Sequence, residues 1–238
     1  MIYRKLSIVA GILMIGITSF FSMYFSRAIV NHEKYSLLGV DVSSYQGEID
    51  WNVIERQGIK FAFIKATEGS GMTDDYIRMN LENIADTDIY HSAYHFFSFD
   101  SAGETQADNY ISAVGKDEIN LPPVIDIEFY GDKFKNQPSR NEVYAILSPL
   151  VERLEKYYET KPIIYITSPL YFKYIVNSPF SDYPIWIRNV NSEPFIIDWD
   201  FWQFSDKGML KGYYGNEKYI DLNVYNGDER KFISEMTR

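Results

Sequence analysis

The sequence predicts an α/β fold, an irregular barrel in which strands and helices alternate around one core. Three observations predict it. Eight strand-length apolar runs recur along the chain, helix-spaced stretches separate the earlier ones, and a polar residue closes nearly every run.

The runs cover residues 37–42, 61–66, 89–97, 123–128, 162–167, 183–188, 195–203 and 219–223, each rich in β-branched and aromatic residues. Helical spacing marks 50–57, 75–85, 102–114 and 139–158, the last with Val143, Ile146, Leu147, Leu150, Val151 and Leu154 on one face. Such alternation predicts a parallel sheet, and eight strands suggest closure. Helices thin out after Asn177, so the last three strands are expected to follow one another through loops.

The N-terminus reads differently. Residues 6–25 carry no charge, about the length that crosses a bilayer core as a helix. Arg4 and Lys5 before this run favour a cytoplasmic start. A cleaved signal peptide has a shorter apolar core and a small-x-small site, whereas Ser26-Arg27-Ala28 is a poor one. The expected organisation is therefore a cytoplasmic segment 1–5, a transmembrane signal anchor 6–25, a linker 26–37 and a barrel domain 38–238. The domain lies outside the membrane, and is secreted if the segment is cleaved.

The first 37 residues carry four basic groups against Glu33, so of the net charge of −10 the remainder carries −13. An acidic domain is a poor partner for nucleic acid. The chain lacks cysteine, which removes thiol chemistry and Cys-based metal sites, and its only histidines are His32, His91 and His95. No cofactor and no metal are expected. The 20 tyrosines exceed what a core alone calls for, and aromatic faces stack on sugar rings.

In a β/α barrel the working residues gather at the C-terminal ends of the strands. Asp126 and Glu128 stand two apart in such a position and share one face of their strand, while Ile125 and Ile127 face the other way. Neighbouring acids repel when both are ionised, so one stays protonated near neutrality. Glycosidic-bond hydrolysis needs that proton for the leaving oxygen and a second carboxylate beside the reacting carbon. The competing reading is a pair of strand-end acids held by Lys or Arg. Asp41 on the first strand and Asp221 on the last have the parity to join the pair. Tyr94, His95, Tyr165, Trp186 and Gln203 are the candidate sugar contacts.

Several motifs stand in a fixed order: Gly39-Val-Asp-Val-Ser-Ser-Tyr-Gln-Gly-Glu-Ile-Asp-Trp51, Phe63-Ile-Lys-Ala-Thr-Glu-Gly69, Ala93-Tyr-His-Phe96, Pro123-Val-Ile-Asp-Ile-Glu128, Trp202-Gln-Phe-Ser205 and Ile220-Asp-Leu-Asn223. Together they resemble glycoside hydrolase family 25, the Chalaropsis-type lysozymes, over nearly all of residues 38–236. The resemblance implies an N-acetylmuramidase that cuts the β-1,4 bond between N-acetylmuramic acid and N-acetylglucosamine in peptidoglycan. It implies a barrel of five β/α units plus three further strands. The family's catalytic acids fall on Asp126 and Glu128, and its first- and last-strand aspartates on Asp41 and Asp221. Glu128 matches the general acid; Asp126 matches a residue that either assists the sugar's own 2-acetamido group or serves another displacement.

The chain departs from the pattern at Tyr45, where the family often has Trp, and in Trp186-Ile-Arg-Asn-Val190, where the family often ends on an aromatic. Arg188 adds a charge at the cleft rim. Two functions follow as expectations: a membrane-anchored muramidase acting on the peptidoglycan glycan strand, or a glycan-binding or envelope-assembly protein on the same fold.

Overall fold

A computed structural model describes residues 34–237. The expected segments 1–5 and 6–25, and most of the linker, lie outside the described residues. Among the described residues no helix is long and apolar enough to cross a membrane.

Eight strands close a barrel: β1 (Leu38–Val42), β2 (Ile59–Glu68), β4 (Tyr90–Phe96), β5 (Val124–Ile127), β6 (Ile163–Thr167), β7 (Ile185–Arg188), β8 (Phe201–Gly208) and β9 (Ile220–Tyr225). They neighbour one another in that order, and β9 returns to pair with β1. The short strand β3 (Met72–Thr73) folds back antiparallel onto the end of β2, outside the barrel.

The expectation of a parallel sheet needs one correction. β9 runs antiparallel to both β8 and β1. Residues 209–219 join the end of β8 to the start of β9 at the same end of the barrel, so the chain returns in the opposite direction, whereas residues 189–200 run back along the outside and leave β8 parallel to β7. The seventh run is also corrected. Its strand begins at Phe201, not at 195, and extends to Gly208. Residues 195–200 form a loop instead, and its buried Ile197 and Trp199 cover the outer face of β8, where no helix packs.

Helices α1 (Trp51–Glu55), α2 (Ile77–Ile84), α3 (Gly103–Ala113) and α4 (Arg140–Tyr158) follow the early strands. After β6 the chain makes a helical turn (Ser168–Leu170) that continues as a wider one (Tyr171–Ile175). Local chemistry sets these ends. Ser139 caps α4, and Glu142 reaches back to the Ser139 N–H at 2.7 Å, so two otherwise orphaned donors are satisfied. Asp50 caps α1 through Val53 N–H at 3.0 Å. At the start of α3, Gly103 lies against the backbone of α4, where a Cβ would run into the Ile146 carbonyl.

Strand parity divides the apolar residues into two cores. One lies between barrel and helices, with Ile64, Ile125, Ile127, Ile164, Ile166 and Ile187 facing Leu147, Leu150, Val151 and Leu154 of α4 and their neighbours. The other fills the barrel: Phe61, Phe63, Val124, Ile163, Trp186, Phe201 and Tyr225. Gly39 makes room for the ring of Phe61, its partner on the adjacent strand β2, since any Cβ there would collide with it.

A terminal helix, α5 (Glu229–Met236), plugs the lower end, opposite the C-terminal ends of the parallel strands. Its Phe232 is fully buried, with ring centroids 5.9 Å from Phe61, 5.0 Å from Tyr225 and 5.2 Å from Tyr90. Burying such a ring stabilises the fold by about 2–3 kcal/mol. Among the described residues, with the lower end sealed by aromatics, the barrel opens to water at its upper end.

Candidate active site

The upper end holds a cleft of about 420 Å³ whose lining includes Asp41, Tyr94, Asp126, Glu128, Tyr165, Trp186, Arg188, Gln203 and Asp221. Asp126 is 6% exposed on the inner face of β5, and Glu128, just beyond the strand, is more open. Both acids therefore enter from one strand, as their spacing predicts.

Asp41 and Asp221 stand directly opposite each other across the β1–β9 ladder. The amides around them have no freedom of orientation. Tyr165 OH donates to Gln203 Oε1 at 3.0 Å, so the Gln203 NH₂ must face the acids; it donates to Asp41 Oδ2 at 2.9 Å and Asp221 Oδ2 at 3.1 Å. Trp186 Nε1 donates to Asn223 Oδ1 at 2.8 Å, which turns the Asn223 NH₂ onto Asp41 Oδ2, also at 2.8 Å. Tyr165, Trp186 and Gln203 thus reach the cleft, and they also hold the first- and last-strand acids in place.

Burial, then the negative charges of Glu128 and Asp41, pushes Asp126 well above the usual carboxylate range. Its Oδ1 is buried without a hydrogen-bond partner. Glu128 is raised by burial and by Asp41, with the Arg188 guanidinium pulling the other way. Asp221 is pushed up to about 9, first by burial and then by Asp41. Asp41 is raised by burial, but the donors Asn223 and Gln203 oppose the shift. Asp221 is therefore the protonated partner near neutrality, and it donates to Asp41.

Two cations line the cleft, each beside a carboxylate. Lys65 Nζ bonds Glu68 at 2.9 Å, and Arg188 Nη2 meets Asp206 Oδ2 at 3.2 Å. A bulge between Lys65 and Thr67 makes the first pair possible, because it brings Glu68 back to the face that Lys65 occupies. Arg188→Ala removes the one positive charge that holds Glu128 down, so the Glu128 carboxyl rises further. A general acid works only while protonated; the alkaline limb of the kcat/KM profile for glycan cleavage is expected to move to higher pH in this variant, and a limb that stays put or moves down contradicts it.

His95 is corrected. It lies on the opposite parity from Tyr94, is fully buried, and does not line the cleft. Its Nδ1 meets Thr67 Oγ1 at 2.7 Å and its Nε2 meets Gln106 Oε1 at 3.0 Å. Gln106 spends both N–H groups on the carbonyls of Ser98 and Ser101, so its oxygen accepts and His95 carries its proton on Nε2. Burial holds the ring near a pKa of about 4, hence neutral. It ties β2, β4 and α3 together. Asn223, absent from the candidates, belongs to the site; its position two residues after Asp221 on the same face was the available signal.

A barrel whose open end carries two acids two residues apart, the deeper one buried, backed by a second pair, has the arrangement that glycosidic-bond hydrolysis calls for. The profile of Glycosyl hydrolases family 25 matches residues 40–213, and the chain belongs to that family. It is similar to a family 25 glycosyl hydrolase from Bacillus anthracis, with a TM-score of 0.81 and 47% identity over 88% of this chain and 97% of that one. Lysozyme M1 of Streptomyces globisporus is 29% identical over 227 residues, covering 87% of this chain and 74% of the relative. YegX of Escherichia coli O157:H7 is 33% identical over 214 residues, covering 87% and 75%. The chain is a glycosidase.

Proposed function

We propose that the chain cleaves the β-1,4 bond between N-acetylmuramic acid and N-acetylglucosamine in peptidoglycan. One observation carries the reading: Asp126 and Glu128 share the floor of the cleft, both with raised pKa, and the deeper acid has an unpartnered oxygen. Relatives named lysozyme and N,O-diacetylmuramidase support the substrate.

In the free site the pair's proton resides on Asp126, the more deeply buried acid. A sugar's acetamido N–H placed against Asp126 Oδ1 stabilises the carboxylate, because a donated hydrogen bond favours the charged form. The proton then passes to Glu128, which delivers it to the departing O4 of the N-acetylglucosamine as the C1–O4 bond breaks. The acetamido oxygen, turned toward C1 by Asp126, forms the new bond to carbon. Water later opens that bond and gives its proton back to Glu128. Gln203 and Asn223 keep Asp41 and Asp221 fixed beside the reacting ring.

The apolar run 6–25 supports an anchored enzyme, with the barrel held outside the membrane. Mass spectrometry of fragments released from purified peptidoglycan tests the reaction. Muramic acid at the reducing ends is expected. Glucosamine at those ends overturns the bond assignment, and glycan binding without release favours the binding-protein reading.

A further inference from the structure

The loop between β7 and β8 carries two consecutive apolar side chains in the open, Phe195 at 86% exposure and Ile196 at 69%. The loop beneath them is built. Trp199 Nε1 donates to the Pro194 carbonyl at 3.0 Å, and Asn189 Oδ1 accepts from the N–H groups of Asn191 and Ser192 at 3.2 and 3.3 Å. Ile197 and Trp199 are buried, Trp199 stacking edge-on with Trp202 at 5.8 Å. A base fixed in this way leaves the tip no route into the core.

The same loop meets the start of the described chain. Glu193 Oε1 accepts from Lys34 Nζ at 2.6 Å and from Tyr35 OH at 2.7 Å, and the Tyr35 ring lies 5.6 Å from Trp199. Lys34 is thus bonded two residues from Phe195. Only residues 26–33 separate it from the uncharged run 6–25, and a stretch of that length reaches no more than about 30 Å when fully extended. A bilayer holding residues 6–25 is therefore close to this flank.

We infer that Phe195 and Ile196 form an apolar tip that inserts into the lipid surface beside the anchor and fixes the barrel's orientation on the membrane. The inference rests on the anchored reading above. Two apolar side chains bind a bilayer weakly on their own, but a short tether raises their effective concentration at the surface to the millimolar range, where a weak contact is occupied. The neighbouring Lys34, exposed beside Glu193, suits the headgroup level, where basic side chains collect, while the buried Tyr35 braces the loop from below.

The chain has no cysteine, so single labels are clean. Phe195→Cys and, as control, Met209→Cys, 73% exposed in the connection after β8, are made in the full chain. Each is labelled with bimane and reconstituted into phosphatidylcholine–phosphatidylglycerol vesicles. Lipids bearing a shallow nitroxide are expected to quench the label at 195 several-fold more than the label at 209. Equal quenching at the two sites, with the protein still in the vesicles after an alkaline carbonate wash, overturns the tip and leaves the anchor standing. Protein lost in that wash overturns the anchor and the tip with it. A blue shift at 195 that grows with protein density without lipid quenching marks a second copy as the occupant and also overturns it.

Discussion

Replacing Glu128 by glutamine is expected to slow peptidoglycan cleavage by about 10²- to 10⁴-fold, equivalent to roughly 3–5 kcal/mol of barrier. Glutamine keeps the shape and a hydrogen-bonding N–H but has no proton to give. The departing sugar hydroxyl must then leave as an alkoxide. Folding is expected to survive, because burial already disfavours the charged form of Glu128 and the variant removes a group that the fold tolerates at a cost. A glycoside of the same sugar with a nitrophenolate leaving group separates the roles. That leaving group needs no proton, so Glu128→Gln should lose far less activity on it. Asp126→Asn, which acts on the other side of the reaction, should lose as much on either substrate. Reducing-end release for the glycan and nitrophenol absorbance for the activated glycoside supply the measurements. In kcat/KM, which reports bond cleavage and not the later attack of water, equal losses for Glu128→Gln on both substrates remove it from the role of acid.

Much of this site was legible because a strand has a period of two. Asp126 and Glu128 alternate with Ile125 and Ile127, and burial of the isoleucines against helices obliges the acids to face the cleft. The same rule, applied to Tyr94-His-Phe96, sends His95 outward; treating it as a polar residue closing a run overlooked its parity. Other features were hidden for definite reasons. The bulge in β2 changes face in mid-strand, so Glu68 joins Lys65 only once the register is known. Residues 195–200 carry strand-like side chains, yet they serve as a cover for β8 because no helix occupies that flank. The antiparallel return of β9 depends on a connection with no periodic signal of its own. Helix α5 did leave a trace, with Asp228 as cap and Phe232 and Met236 one turn apart, but its position as a barrel plug is a tertiary fact.

Asp221→Asn is expected to stabilise the fold at neutral pH, and the pH dependence carries the proof. The folded-state pKa of Asp221 is raised to about 9 from 3.8. A group raised in this way contributes its full stability below the unfolded value, near pH 4, and loses it as pH rises toward the folded value. At pH 7 the unfolded carboxyl is ionised while the folded one is still protonated, so folding must take up a proton. The cost is at most about 4 kcal/mol at that pH, and charge sharing with Asp41 brings the expected gain from the substitution to about 1–3 kcal/mol. Asparagine is neutral at every pH and keeps a donor where the protonated acid has one, so Asp41 retains its partner. Urea unfolding should therefore show the variant more stable than the parent at pH 7, more so at pH 8, and equal to it near pH 4. A variant destabilised by the same amount at all three places no proton on Asp221. If the gain appears together with a fall in glycan cleavage, the acid cluster is a case of stability given up for chemistry: the fold would be firmer without the carboxyl group that the site requires.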